Sequence, residues 1–417
     1  MTRIKRRIAG MFRKRKQELQ LAEVKDPRKA QGKRWKSLTL LTATLAAMMA
    51  GAKSLSDVED LTTSLSRELR CMLGIPRRIP DTTLRTFLCK LDPLVLRAPL
   101  IRAVRAAHRR RALTHDSLPF GVASMDGKAT ALPSADDHYA QRQTQDAESG
   151  PLTGVVRTIS TVLTSSPARP FIDVFPVPAA TNEMGVFERA LRSLVQAYEG
   201  LDLFRLVTYD AGACSEKNAD VVRELGLHYL FGLRGTQPTL LHEAKRLLAE
   251  RAEPDAVTED VARGQVVTRR VFLQSVEGGF DGWKHLRTFV CVTSETRQKD
   301  GTVVAKDERY YLSSLPKNRL TSDQWLRVAR MHWGVETAHQ VLDVAFDEDD
   351  HRWIESDPRG NAVAVVLRRI AYTLLSLYRS VTLRSDQNRQ LPWSDLLGHV
   401  ARTFRSETPL GLFPAPA

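Results

Sequence analysis

At 417 residues the chain is too long for one ordinary domain and fits two to four. Its hydrophobic share of 42% is enough for real cores, and its net charge of +14 at pH 7 points to a polyanionic partner. The four cysteines, Cys71, Cys89, Cys214 and Cys291, stand far apart; they exclude paired zinc ligands and suit reduced thiols in a cytosolic protein.

Residues 1–37 read as a basic arm, partly helical, that orders on binding DNA; Arg13, Lys14, Arg15 and Lys16 are its densest run. Leu38–Ala52 is apolar but shorter than the roughly 20 residues of a membrane span, and threonines interrupt it. The basic leader before it is too long for a usual signal peptide, so a buried core helix and no membrane contact are expected. Ser54 caps a helix to Leu65, and Arg67–Leu73 forms another that stops at Gly74-Ile75-Pro76. Asp81 or Thr82 caps the next, with Leu84, Phe87, Leu88 and Leu91 as its apolar stripe. A second basic cluster follows at Arg102, Arg105, Arg109, Arg110 and Arg111, and both clusters favour phosphate contact. Residues 38–115 thus suit a small helical DNA-binding domain. A helical packing or dimerisation domain fits nearly as well, because no helix-turn-helix pattern is unambiguous.

After Arg111 the periodicity changes. Strands are predicted at Phe120–Met125, ending at Asp126-Gly127, then at Gly154–Leu163 and Pro170–Val177. A helix over Asn182–Tyr198 precedes a strand at Phe204–Tyr209 that ends at Asp210. A helix capped by Ser215 and a strand at His228–Leu233 complete an α/β unit. Residues 235–315 read as a β-rich insertion: loop and helix over Gly235–Glu250, then strands at Val266–Leu273, Leu286–Thr293 and Arg309–Leu315. Thr321–Phe346 reads as one amphipathic helix with a capping box of Thr321 and Gln324. In it Glu336 is one turn from His332 and Trp333 on one side and from His339 and Gln340 on the other. Asn361–Tyr378 is a strongly apolar helix. Residues 386–417 hold a last helix near Ser394 and a Pro-rich tail that is expected to be disordered.

The first and fourth strands of such a sheet are commonly neighbours, so their ends bring Asp126 and Asp210 to one edge, within reach of Glu336. Three carboxylates that close repel one another unless cations lie between them. Hard oxygen donors in that number suit Mg2+ or Mn2+ as two ions, which activate a water or a 3′-hydroxyl and stabilise the leaving oxygen in phosphodiester chemistry. Singly, each acid has a plainer reading: Asp126-Gly127 as a turn, Asp210 as a loop cap, Glu336 as the partner of Arg330. Together, in a basic chain with this element order, the metal reading is favoured. A zinc site of His332, Glu336 and His339 lacks a further clear ligand.

The segments DPRKAQGKRW, LLTATLAAMMAGAKSLSDVED and IPDTTLRTFLCKLD are followed by SMDGK, TNEM, VTYDAGACS and YLFGLRGTQPTL. RMHWGVETAHQVLDVAFDEDDHR and NAVAVVLRRIAYTLL close the set. In this order, over nearly the whole chain, they resemble DDE transposases of bacterial insertion sequences, specifically the H-repeat-associated group with its N-terminal associated domain. The resemblance implies a ribonuclease-H-like core, here 116–234 and 316–385, with a β insertion before the last acid. It implies Asp126, Asp210 and Glu336 as the catalytic, metal-holding triad. It further implies cleavage of double-stranded DNA at terminal inverted repeats, strand transfer into target DNA, and a homodimer acting on DNA in the bacterial cytoplasm. Two departures stand out. His332 and Asp343 occupy places where related transposases carry Arg and Lys, and ATALPS follows Asp126-Gly127-Lys128 where an Arg-containing run is expected. Candidate DNA contacts are Lys128, Asn182, Arg234, Gln237, Arg330 and His332. Asn182 equally suits a helix cap, and His332 and His339 equally suit orienting Glu336 or polar packing. Trp333 is expected to anchor the core. Asp343 is a reserve third ligand. The alternatives are an inactive transposase-derived DNA-binding protein and a general metal-dependent nuclease with the same core.

Overall fold

The structure, a computed structural model, describes residues 3–29, 33–133, 138–143, 153–249, 251–262, 264–383 and 389–404. The predicted Pro-rich tail lies outside the described residues.

The N-terminal part is helical: α1 Arg3–Leu19, α2 Ser37–Met49, α3 Leu55–Ser64, α4 Arg67–Leu73, α5 Asp81–Leu88 and α6 Arg97–Arg109. Ser54 forms a full capping box with Asp57, and Gly74 closes α4 in the left-handed conformation at φ 71°. The cap of α5 differs from expectation: Pro80 precedes it without a side-chain bond, and Asp81 is already its first residue. The expected DNA-ordered arm is instead a docked helix. Ile8, Met11 and Phe12 of α1 are buried. The Phe12 ring meets Phe404 edge-on at 5.9 Å. The second basic cluster also turns inward. Arg102 donates to the Leu19 carbonyl and Glu23, Arg105 to the Ala197 carbonyl, and Arg110 pairs with Glu18. Arg102 and Arg110 thus tie the α6 end to α1, and Arg105 ties α6 to the sheet domain at Ala197, rather than waiting for phosphate.

One ten-stranded sheet runs through the rest, in the order β2-β3-β1-β5-β6-β10-β9-β8-β7, with β4 paired to β3. Its strands are β1 Val122–Leu132, β2 Ala140–Gln143, β3 Thr153–Leu163, β4 Phe171–Val177, β5 Leu206–Tyr209, β6 His228–Leu233, β7 Ala256–Ala262, β8 Gln265–Ser275, β9 Thr288–Arg297 and β10 Val303–Ser313. Strands β4, β3 and β1 form an antiparallel meander, and β1, β5 and β6 run parallel. This is the ribonuclease-H-like arrangement that the resemblance implies. The β-rich insertion does not form a separate layer. Its last strand, β10, pairs antiparallel with β6, so β10 to β7 widen the same sheet.

Helices α7 Glu183–Ala197, α8 Glu216–Glu224 and α9 Pro238–Ala249 connect the strands. The predicted single helix over Thr321–Phe346 is two, α10 Ser322–Met331 and α11 Trp333–Ala345, with the capping box of Thr321 and Gln324 in place. The break falls at His332, where Val335 N–H bonds the His332 carbonyl in a tight turn. A Cβ at Gly334 would come within 2.7 Å of Thr164 Cγ2, so the start of α11 lies directly on the loop after β3. Trp325 of α10 is fully buried on one sheet face. On the same face, beyond α11, lies α12 Pro358–Leu377, whose Tyr372 meets Phe171 beside His339, followed by α13 Trp393–Phe404. The α12 segment is long and apolar enough to cross a membrane, yet it is wholly buried inside the fold, as is most of α2.

Candidate active site

The site begins with strand register. Ser124 of β1 lies opposite Thr208 of the parallel β5. Side chains two apart share a strand face, so Asp126 follows Ser124 and Asp210 follows Thr208 on that face, on strands about 4.8 Å apart. Asp126 does not end its strand, as the Asp-Gly dipeptide suggests; it lies inside β1, opposite Ser160 of β3. Asp210 leaves β5 and caps the turn Ala211–Ala213, accepting from Gly212 N–H at 2.9 Å.

Helix α11 lies across this pair, held by its two histidines. His339 Nδ1 is 3.2 Å from Asp126 Oδ2. His332 Nδ1 is 3.2 Å from Thr208 Oγ1. Below His332 runs a buried hydroxyl chain: Thr208 donates to Ser124 at 2.8 Å, Ser124 meets Thr164 at 2.7 Å, and Thr164 donates to the Val122 carbonyl. Where Thr208 gives its proton to Ser124, its oxygen is left to accept from His332 Nδ1. Burial, foremost, holds the His332 ring below its usual pKa, against the attraction of Asp126 and Asp210, and so keeps it neutral. Between the two histidines, on the same helix face, stands Glu336.

Glu336 is exposed at the lip of a cleft of about 310 Å3 that Asp210, His332, Trp333, Arg234 and Arg309 also line. Its carboxyl is pushed above its ordinary value, first by the part that the cleft wall buries, then by the charge of Asp126; Arg309 opposes and Asp210 adds. A carboxylate raised by two neighbouring carboxylates calls for a cation. Glu336 forms no hydrogen bond or ion pair among the described residues, and the buried Nε2 atoms of His332 and His339 have no partner. Asp126, Asp210 and Glu336 offer the oxygen donors that a hard divalent ion takes, although among the described residues their ligand atoms do not all lie within 4.8 Å of one another.

The other sequence-predicted residues divide. Arg234 is exposed in the cleft with Glu336. Gln237 instead donates to the Cys214 carbonyl at 3.0 Å. Asn182 caps α7, accepting from Gly185 N–H. Arg330 pairs with Asp260 at 3.3 Å rather than with Glu336. His332 is buried, so it supports the site from beneath rather than meeting DNA. Lys128 is not free for phosphate: its ammonium bonds Asp343 and lies 3.8 Å from Glu348 and 3.3 Å from Asp349. Asp343, Glu348 and Asp349 cluster as metal ligands do, but Lys128 neutralises them, and Asp343 has its cation without the triad. Trp333 is only half-buried, with Arg309 stacked 4.3 Å from its ring centre; Trp325 is the core anchor. Arg309 and Lys245, both in the cleft wall, escaped the sequence reading. The alternation of Arg309 and Tyr311 on β10 was the available signal.

A ribonuclease-H-like sheet with acids on β1 and after β5, and a third on a following helix, is the arrangement expected of the DDE class. Residues 134–374 match the family of the Transposase DDE domain, and residues 19–103 match its DDE_Tnp_1-associated domain, so the chain belongs to the DDE transposase family. The larger match begins after Asp126 and contains Asp210 and Glu336. The chain is 26% identical to the "H repeat-associated putative transposase YhhI" of Escherichia coli K12, over 81% of this chain and 84% of that one. The "Putative protein YbfL" of the same organism matches with the same identity and coverage. A piggyBac transposase synaptic complex with hairpin DNA aligns over 96% of this chain and 78% of that chain. Its TM-score of 0.43 and 14% identity are too low to carry an argument.

Proposed function

We propose that this chain is an insertion-sequence transposase that cuts DNA at terminal inverted repeats and joins the freed 3′-hydroxyl to target DNA, with Asp126, Asp210 and Glu336 as its catalytic acids. One observation carries the reading: side chains from β1, the end of β5 and α11 converge on one face, and the charges of Asp126 and Asp210 act on Glu336. Mg2+ or Mn2+ held there, as two ions, would lower the pKa of the attacking water or hydroxyl and offset charge on the leaving oxygen. The chain's own residues do the positioning. His339 fixes the Asp126 carboxylate, and His332, locked by its hydroxyl chain, sets the start of α11. Arg234 and Lys245, with Arg309 that Asp307 partly neutralises, supply the cations of the cleft against which a DNA phosphate can lie. Joining two element ends calls for two such sites, so the active species is a homodimer on DNA.

The test is Mg2+-dependent cutting of labelled duplex carrying the inverted repeats that flank the gene. Cutting at the repeat boundary, abolished in Glu336→Ala and kept in Asp343→Ala, is expected. Loss in Asp343→Ala with retention in Glu336→Ala would move the third ligand. Specific binding without cutting by the wild type would make the chain an inactive DNA-binding relative.

A further inference from the structure

A second cavity, of about 330 Å3, opens beside the cleft, and Trp333 lines both. The two flank neighbouring faces of α11: His332 and Glu336 line the cleft, Gly334 and Thr337 the second cavity. Three cations line that cavity, Arg169, Arg327 and Arg330, against one acid, Asp116. Arg327 is paired with Asp116 at 2.6 Å, and Arg330 with Asp260 at 3.3 Å. Arg169 is exposed, and among the described residues its side chain forms no hydrogen bond or ion pair. Its backbone is a separate observation. Arg169 stands at φ 43°, in the left-handed region that L side chains seldom enter, and it precedes Pro170, which favours extended backbone. The loop after β3 holds it there. Arg169 N–H bonds the Ser166 carbonyl at 2.9 Å, Leu163 N–H bonds the Pro170 carbonyl at 3.0 Å, and the Ser376 hydroxyl of α12 donates to the Ala168 carbonyl. The Arg169 stem passes over Gly334, where a Cβ would lie 3.9 Å from its Cδ, two residues before Glu336. Glycine would satisfy that backbone without strain; arginine adds a charge that no described residue takes up.

We propose that this cavity seats a backbone phosphate of the DNA strand that leaves the cleft, with Arg169 as its free cation. This rests on the transposase reading of the cleft and extends the path of its DNA past Trp333. A phosphodiester is the chemistry that fits. A guanidinium takes two of its oxygens at once, and the Ser166 and Thr337 hydroxyls leave the rest of the lining polar. Arg327 and Arg330 already have acids, so the uncompensated charge is that of Arg169. The spacing fits as well. Cavities on neighbouring faces of one helix lie about 10 Å apart, the width of a helix with its side chains, and a DNA strand carries a phosphate every ~3.4 Å of axis. The phosphate is therefore within about three nucleotides of the one that is cut. A small free anion would need no wall shared with the cleft; the shared Trp333 points to a continuous strand.

The experiment uses the full chain and a labelled duplex carrying the terminal repeat. Binding is measured against salt for the wild type, Arg169→Gly and Thr337→Asp. It is repeated on duplexes in which one phosphate near the cut is a neutral methylphosphonate. Arg169→Gly removes the charge and relieves the backbone, so its melting midpoint should equal or exceed that of wild type. Its DNA affinity should fall about tenfold and its salt slope by about one. Thr337→Asp, which places an acid in the cavity from an exposed position of α11, should weaken binding in the same direction. One methylphosphonate within about three nucleotides of the cut should weaken binding by the wild type and not by Arg169→Gly. Arg169→Gly with wild-type affinity and salt slope would overturn the proposal, as would equal losses for both proteins on every methylphosphonate duplex. A midpoint well below wild type with an unchanged slope would make Arg169 a structural residue and overturn it too. Coupling of Arg169 to one phosphate in a wild type that does not cut would support the cavity and overturn the transposase reading. Cutting without that coupling would overturn the cavity alone.

Discussion

Two kinds of carboxylate in this protein respond to acid in opposite ways. Glu348 is fully buried against Arg369. Burial works against its charge, yet Arg369, Arg368 and Lys128 hold its carboxyl below the ordinary value. A depressed acid contributes stability that is present above its unfolded value and lost as pH falls through the folded one. Glu348→Ala strands two buried guanidinium groups, and equilibrium denaturation should show a loss of roughly 3–5 kcal/mol. Glu336 is the reverse case: its raised carboxyl makes the folded state the better proton binder, so its contribution falls as pH rises through the folded value. In EDTA at neutral pH, Glu336→Gln should melt higher than wild type while losing DNA cutting; a lower midpoint would show that Glu336 is a structural acid. The three acids named from the sequence lie on β1, at the end of β5 and on α11, but the reason for Gly127 was not legible. Asp-Gly is a turn signal by composition, whereas here the glycine makes space for a side chain 56 positions away in the sequence.

At the scale of elements, periodicity located most helices and strands because their apolar faces are buried. It failed where burial fails. Strand β7 was missed: it is an edge strand, AVTEDVA, with Val257 and Val261 exposed, and so carries no apolar alternation. The break at His332 was also hidden, because the apolar pattern continues through both helices while Gly334 settles on Thr164. Gly334→Ala should therefore push α11 off the sheet, costing about 1–3 kcal/mol by thermal denaturation and reducing cutting more than a remote substitution of equal cost. His228 opens β6 beside Ser314 after β10, where the inserted strands join the core. Burial, then Arg223, lowers its pKa to about 4. The unfolded state thus binds more protons between pH 6.5 and 4, and stability should fall as pH falls through that window. His228→Gln should flatten that part of the profile; an unchanged profile would assign it to other groups.

For the whole molecule, the charge of +14 was legible but its distribution was not. Arg102 and Arg110 hold α6 to α1 and Arg105 holds α6 to the sheet domain, while Arg234, Lys245 and Arg309 face the cleft. Replacing a cleft cation by Ala should reduce the salt slope of DNA binding by about one, whereas Arg110→Ala should lower stability and leave the slope alone. The most direct test of the central claim is strand transfer from a pre-cut, repeat-ended duplex into a plasmid in Mg2+, which bypasses the first cut. Joining through the 3′-hydroxyl by the wild type, and none by Asp126→Ala, Asp210→Ala or Glu336→Ala, is the predicted result. Joining by Asp210→Ala at the wild-type rate, or equal degradation of unrelated DNA without any joined product, would contradict it.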